Sequence, residues 1–149
     1  MFDPFAGLGT TLAVAERMGR NVLGLELLPE RVDFIRRRRR NPAAIPEGDA
    51  LRLVELDLPV IDLVMTSPPY MNRLNHPENP LTGYRTLDGN YERYLTQVGD
   101  VFRTLRQRLR AGSKICYQRG EHCQFSYNHV SVVSVGRRGR VGEELALRA

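Results

Sequence analysis

Residues 3–11 read Asp3-Pro4-Phe5-Ala6-Gly7-Leu8-Gly9-Thr10-Thr11. Two glycines stand between a short apolar start (Met1, Phe2) and an amphipathic stretch that opens at Thr10. A glycine pair in a strand-to-helix turn lets the backbone approach a ligand closely. The helix that follows offers free N–H groups at its N-terminus. Either Thr10 or Thr11 is placed to cap that helix, which runs to about Met18 with Gly19 as its stop. Outward from this stretch, Asn21–Glu26 (NVLGLE) is a short strand pattern, and Glu26 stands 23 residues after Asp3. A carboxylate about 20 residues past a glycine turn is placed for ribose hydroxyls. Phosphate binding asks for a third glycine or a lysine, and neither is present. A lone Gly-x-Gly is often only a tight turn; the set with Glu26 points to a nucleoside-type ligand rather than a dinucleotide.

The rest of the chain continues the alternation. Pro29 suits the first turn of a second helix carrying Val32, Phe34 and Ile35, which runs into Arg36–Arg40 and stops before Asn41-Pro42. Ala43–Ile45 reads as a short strand ending near Gly48-Asp49, and Val60–Met65 (VIDLVM) as the best buried strand. Tyr70–Asn90, with Pro77, Pro80, Gly83 and Gly89, has no apolar period and reads as a long functional loop. Tyr91, Tyr94, Leu95, Val98, Val101, Phe102, Leu105 and Leu109 form a helical stripe, with Asn90 as N-cap and Gly112 as the end. Ser113–Gln118 is a further strand, Val130–Val135 another, and Gly136–Arg140 a basic turn or tail. Strands alternating with helices predict an α/β protein with a mostly parallel, doubly wound sheet.

Residues 66–70, Thr66-Ser67-Pro68-Pro69-Tyr70, follow the best strand. Two prolines fix the backbone and remove two donors. What remains is a rigid row of carbonyl acceptors, a serine hydroxyl and an aromatic face. Such a row can accept hydrogen bonds from an exocyclic amino group while the tyrosine stacks on the base. An arylamine is a poor nucleophile because its lone pair is delocalised. Holding its hydrogens on two acceptors draws the nitrogen toward a tetrahedral shape and frees that pair. The plainer reading is a proline-rich strand end with a structural tyrosine. In a doubly wound sheet, however, ligands bind beyond the carboxyl ends of the strands, and both motifs follow strands.

Composition bounds the partners. The chain has 149 residues, enough for one domain, with 42% hydrophobic and 26% charged residues, which excludes a disordered or fibrous protein. No apolar run approaches the ~20 residues that span a bilayer, so a membrane is not expected. The start Met1-Phe2-Asp3-Pro4 has no basic segment or long apolar run, and Cys116 and Cys123 make no disulfide scaffold, so a cytoplasmic setting is expected. Net charge is +5, carried by 21 arginines and a single lysine, Lys114. That balance favours a polyanion such as nucleic acid, against the plainer reading of compositional bias.

DPFAGLGTT together with TSPPY resembles the amino-directed DNA methyltransferases, which use S-adenosylmethionine. The resemblance covers roughly Met1 to Gln118 and implies a Rossmann-like methyltransferase fold. It implies that Asp3, Phe5, Gly7, Gly9, Thr10 and Thr11 contact the cofactor, that Glu26 holds its ribose, and that Asp49 lies on its adenine side. Ser67, Pro68, Pro69 and Tyr70 then form the catalytic motif on a flipped base. Serine at position 67 leans toward cytosine N4 over adenine N6. Arg73, Asn75, His76 and Arg85, in the Met71–Gly89 loop, are candidate DNA contacts or simply a solvated polar loop. DNA is the expected partner, with RNA the alternative, since related enzymes methylate RNA base amines; the family's link to restriction–modification leaves a restriction endonuclease open as a partner. A non-catalytic nucleic-acid-binding remnant is the rival of another class.

The family's first strand carries about five apolar residues before the aspartate, whereas Met1 and Phe2 are the two here. The family also has further strands after the fifth. The expectation is therefore a fold incomplete at both ends: a methyltransferase core over 1–118 and a divergent basic segment over 119–149. The Arg36–Arg40 run reads first as a solvated helix end and second as DNA backbone contact. Cys116, His122, Cys123 and His129 match no zinc spacing, so no metal is expected, and Cys116 reads as core. Tyr91 and Tyr94 read as packing.

Overall fold

The computed structural model describes residues 1–69, 91–119, 129–134 and 145–147. Its strands are β1 (Phe2–Asp3), β2 (Leu23–Gly24), β3 (Ile61–Thr66), β4 (Leu109–Arg119), β5 (His129–Ser134) and β6 (Leu145–Leu147). They form one sheet in the order β2-β1-β3-β4-β5-β6. The first four are parallel: Phe2 pairs with Leu23 on one side and Val64 on the other, and Met65 with Cys116. β5 and β6 turn the edge antiparallel. The helices are α1 (Thr10–Arg17), α2 (Pro29–Arg36) and α3 (Tyr91–Arg106).

Two core clusters divide the helices between the sheet's faces. Leu12 of α1, Val32 and Ile35 of α2, and Ile45 pack together. Val101 and Leu105 of α3 join Phe2, Leu53, Ile61, Val64 and Ile115. Truncating one such fully enclosed leucine or isoleucine costs about 2–5 kcal/mol. The doubly wound α/β architecture expected from the alternation is the one observed. Among the described residues, no helix is long and apolar enough to cross a membrane.

Local chemistry sets several boundaries differently from the sequence pattern. Helix α1 is entered through Gly9, at φ 75°, and no side chain caps it, so neither Thr10 nor Thr11 is the N-cap. A Cβ on Gly9 would also stand 2.9 Å from Cγ2 of Ile35. The exit is as expected: the Gly19 amide donates to the Glu16 carbonyl and the Arg20 amide to that of Ala15, both at 3.0 Å, which is a Schellman closure. Pro29 does open α2, but the helix stops at Arg36, so the arginine run is not its continuation. Arg36 and Arg39 turn back onto Ile45 and Gly9 instead.

Ala43–Ile45 is no strand. Pro42–Ala44 makes a 3-10 turn, because the flanking prolines, Pro42 and Pro46, have no N–H to give a ladder. A single parallel bridge between Glu26 and Glu47 stands in its place. Residues Ala50–Glu55 form a second 3-10 segment, whose Leu53 enters the core. Within β3, Ile61, Val64 and Thr66 are buried but Asp62 and Met65 are exposed, one on each face, so the strand is only partly covered rather than buried throughout. Helix α3 ends at Arg106 and Leu109 already belongs to β4. The reason is that the Arg108 carbonyl accepts the Ile61 amide at 2.9 Å, which draws the chain into the sheet. Gly112 is then a positive-φ position inside β4 rather than the helix stop. Tyr70, Arg73, Asn75, His76, Arg85, Asn90, His122, Cys123 and Gly136–Arg140 lie outside the described residues. Cys116 is half-buried on β4, and burial pushes its thiol pKa up.

Candidate functional site

The carboxyl ends of β1, β2 and β3 open into one cleft, lined by Phe5, Gly7, Glu26, Arg31, Asp49, Ser67 and Pro69 among others. Glu26 organises it. The Gly7 amide donates to its Oε2 at 2.7 Å and the Leu28 amide to its Oε1 at 3.1 Å. A carboxylate accepting backbone amides makes charge-assisted bonds, roughly twice as strong as neutral ones. Each oxygen keeps a further lone pair for a ligand hydroxyl. The Glu26 backbone reaches the other way: its carbonyl accepts the Gly48 amide at 2.9 Å. That bond sets Asp49 beside Glu26 in the cleft wall. Asp49 itself accepts the Leu51 amide at 2.9 Å and starts the 3-10 turn behind it.

Asp3 lies beneath the glycine loop rather than on the cleft wall, at 2% exposure. Its Oδ1 accepts the Phe5 amide at 3.1 Å and the Thr66 hydroxyl at 2.6 Å. Burial pushes its pKa up to about 6; the hydrogen bonds from Thr66, Phe5 and Thr11 restrain the rise, and the nearby charge of Glu26 adds to it. Asp3 therefore braces the loop. Gly9, Thr10 and Thr11 begin α1, outside the cleft lining.

The second motif arrives at the same cleft. Ser67 is exposed, Pro69 half-buried and Pro68 buried. Ser67 and Pro69 line the cleft with the residues of the glycine loop. Tyr70 lies outside the described residues. Of the twelve residues singled out from the sequence, six therefore share this wall: Phe5, Gly7, Glu26, Asp49, Ser67 and Pro69.

Three supporting residues escape sequence reasoning. Thr66 is read only as the first residue of the TSPPY stretch with no role of its own, yet it ends β3 and its hydroxyl donates to Asp3. Tyr94, read as packing, donates its hydroxyl to the Pro69 carbonyl. Arg39, one of five consecutive arginines, donates to the Gly9 carbonyl at 2.8 Å and to Glu16 at 3.2 Å. Its side chain is 6% exposed. Arg38 lies over the Phe34 ring, 3.6 Å from its centre. Arg31 adds a cation to the cleft wall; its place on the first turn of α2, five residues after Glu26, is the signal that points to it.

Chemically, the cleft offers two carboxylates, an amide-rich glycine loop, and apolar walls from Phe5, Leu27, Leu28 and Ala50. That donor set suits a nucleoside: carboxylates for hydroxyl and amino groups, apolar walls for a ring. The serine-proline turn adds acceptors at the rim.

Residues 1–37 match a family model described as DNA methylase, N6_N4_Mtase. The matched segment contains DPFAGLGTT and Glu26, and the TSPPY motif lies beyond it. No curated protein matches the chain. Among solved structures, a SAM-dependent methyltransferase from Archaeoglobus fulgidus is similar at TM-score 0.56 and 16% identity, over 81% of this chain and 44% of that one. TrmN from Thermus thermophilus is similar at TM-score 0.54 and 20% identity, over 78% and 32%. TehB from Haemophilus influenzae is similar at TM-score 0.56 and 10% identity, over 85% and 40%. The chain thus spans between a third and somewhat under half of the length of these proteins. At such identities the likeness is one of fold, and the fold is the Rossmann-like methyltransferase fold.

Proposed function

We propose that this chain binds S-adenosylmethionine in the cleft and serves methyl transfer to an exocyclic amine of a nucleic-acid base, with cytosine N4 in DNA as the target. One observation carries the reading: the Glu26-clamped glycine loop and the Ser67-Pro68-Pro69 turn share a single wall. A ribose-type and an amine-type site within one cleft is what a group transfer between nucleosides requires. The cofactor fits the residues present. Glu26 and Asp49 would take ribose hydroxyls and the adenine amino group, and Phe5, Leu27 and Ala50 would flank the ring.

When bound, S-adenosylmethionine supplies a methyl group on a positively charged sulfur. The chain's own residues hold the acceptor. The Ser67 hydroxyl and the Pro68 carbonyl accept the two amine hydrogens, turning the nitrogen lone pair toward the cofactor loop. In the transfer, the N–C bond would form as the methyl–sulfur bond breaks and its electron pair stays on sulfur, leaving neutral S-adenosylhomocysteine. The amine nitrogen would carry the positive charge until its proton passes late to solvent. A strong base is therefore not required. Tyr70 would stack on a base swung out of its duplex, at a cost of a few kcal/mol. The basic balance of the chain, +5, supports a polyanionic partner.

Adenine N6 and RNA are the other targets of the same reading. The test is methyl transfer from labelled S-adenosylmethionine to mixed-sequence duplex DNA and to RNA, followed by nucleoside separation. Label in N4-methylcytosine is the expected result. Label in N6-methyladenine, or in RNA alone, keeps the reaction and moves the target. Absence of label everywhere, with S-adenosylhomocysteine still raising the melting temperature, overturns transfer and leaves a binding protein. At a hundredfold excess over its dissociation constant, a ligand stabilises the fold by about 2.7 kcal/mol.

A further inference from the structure

The Ser67-Pro68-Pro69 turn has a problem of attachment. Two consecutive prolines have no N–H, so the turn cannot be anchored by its own amides at these positions. Yet a turn that orients an amine must be held to within about 0.5 Å. Two side chains from outside it provide anchors. On one flank, Thr66, the last residue of β3 and buried, donates its hydroxyl to Asp3 Oδ1 at 2.6 Å. On the other, Tyr94 of α3, also buried, donates its hydroxyl to the Pro69 carbonyl. Asp3 in turn accepts the Phe5 amide of the glycine loop. Neither Thr66 nor Tyr94 is among the residues lining the cleft.

We propose that Thr66 and Tyr94 are positioning residues, which together brace the serine-proline turn at a set distance from the glycine loop. The proposal rests on the methyl-transfer reading above and adds the parts that hold the two half-sites in register. The two anchors do different work. Tyr94 ties the turn to α3, whose Val101 and Leu105 are core residues, and touches the acceptor side alone. Thr66 ties the turn to Asp3 and so to the loop, and touches both sides.

The test uses the whole chain with Tyr94→Phe, Thr66→Val and Thr66→Ser. S-adenosylhomocysteine affinity is measured by calorimetry and methyl transfer in single turnover. Tyr94→Phe is expected to keep the affinity within about twofold while transfer slows by about tenfold to a hundredfold, the scale of a misplaced reacting group. Thr66→Val should weaken the affinity and slow transfer together, and Thr66→Ser, which keeps the hydroxyl, should restore both. Wild-type transfer by Tyr94→Phe overturns the brace while leaving the methyltransferase reading intact. A Tyr94→Phe protein that loses affinity, melting temperature and transfer in parallel also overturns it, since the role is then merely structural. Thr66→Ser behaving like Thr66→Val removes the hydroxyl from the argument and sinks the Thr66 half. A wild-type chain that neither binds S-adenosylhomocysteine nor transfers methyl overturns the function itself, and the brace falls with it.

Discussion

The loop after β1 and the turn after β3 meet in one cleft but are held by opposite chemistry. The loop is rich in backbone N–H groups, and acceptors hold it: Glu26 takes the Gly7 amide, Asp3 the Phe5 amide, and the Leu25 carbonyl the Ala6 amide at 2.9 Å. The turn lacks N–H groups at two consecutive positions, and donors hold it: Thr66 before it and Tyr94 on its last carbonyl. Asp3 accepts from both regions. The difference teaches that backbone composition selects the type of its supports: glycine loops call for carboxylates, and proline turns call for hydroxyls. It follows that acceptor-side substitutions should act chiefly on folding and cofactor affinity, and loss of the Tyr94 donor chiefly on transfer, while Thr66, which reaches the loop through Asp3, acts on both.

The largest effect belongs to Glu26. Glu26→Ala leaves the Gly7 and Leu28 amides without their acceptor, and each unsatisfied buried group costs about 1–3 kcal/mol. The expected loss is about 4 kcal/mol in urea unfolding, with S-adenosylhomocysteine binding abolished in calorimetry. A near-neutral Glu26→Ala would break the acceptor half of the comparison.

Asp3 is next, and its effect depends on pH. Its folded pKa, about 6, lies above its ordinary value of 3.8. A raised carboxyl pKa means the folded state binds the proton more tightly. That contribution is complete below about pH 4 and is lost as pH rises through about 6. The shift corresponds to about 3 kcal/mol. In paired unfolding series, wild type should therefore lose stability relative to Asp3→Asn by about that amount from pH 4 to pH 7. Parallel pH curves for the two proteins would show that the buried carboxyl does not titrate as burial requires.

These supports were unequally visible in the sequence. Glu26 is legible from its set offset past a glycine motif, since local spacing carries that information; Asp3 and Asp49 are singled out only by the resemblance that DPFAGLGTT and TSPPY carry. The parallel sheet was legible from alternation alone. Thr66–Asp3 and Tyr94–Pro69 were not, since they join residues 63 and 25 positions apart and no local period records such a pairing. Ala43–Ile45 departs from its sequence pattern for a related reason: its apolar residues suit a strand, and the prolines around them refuse the ladder. Helix α3 ends earlier than its apolar period, because Leu109 continues that period while the Arg108 carbonyl is drawn to β3.

Gly9 sharpens the comparison from the loop's far end. A Gly9→Ala methyl would meet Ile35 at 2.9 Å, on a backbone at φ +75°. Positive φ costs about 1–2 kcal/mol for a side-chain-bearing residue, and crowding adds about 1 kcal/mol more. A loss of about 2–3 kcal/mol in thermal unfolding is expected; a loss of only about 1 kcal/mol would mean that Ile35 moves aside and the backbone term alone remains, and wild-type stability would mean that the loop does not hold Gly9 in this conformation.

The smallest effect tests the exception to the rule. Arg39 is a donor on the acceptor-held loop, bonded to the Gly9 carbonyl and to Glu16. Its Nε is buried with no partner, so removing the guanidinium also removes a desolvation cost. Arg39→Ala should therefore cost only about 1–2 kcal/mol, less than the loss of a well-satisfied buried ion. Arg37 and Arg40 are exposed, and alanine at either should change stability by less than about 0.5 kcal/mol. Stability measured alongside S-adenosylhomocysteine affinity separates the two kinds of arginine. Arg39→Ala should weaken the affinity through the displaced loop, whereas the Arg37 and Arg40 variants should leave it unchanged. Equal responses from all three would mean that the run acts as a charge patch, and that the Gly9 carbonyl needs no donor at all.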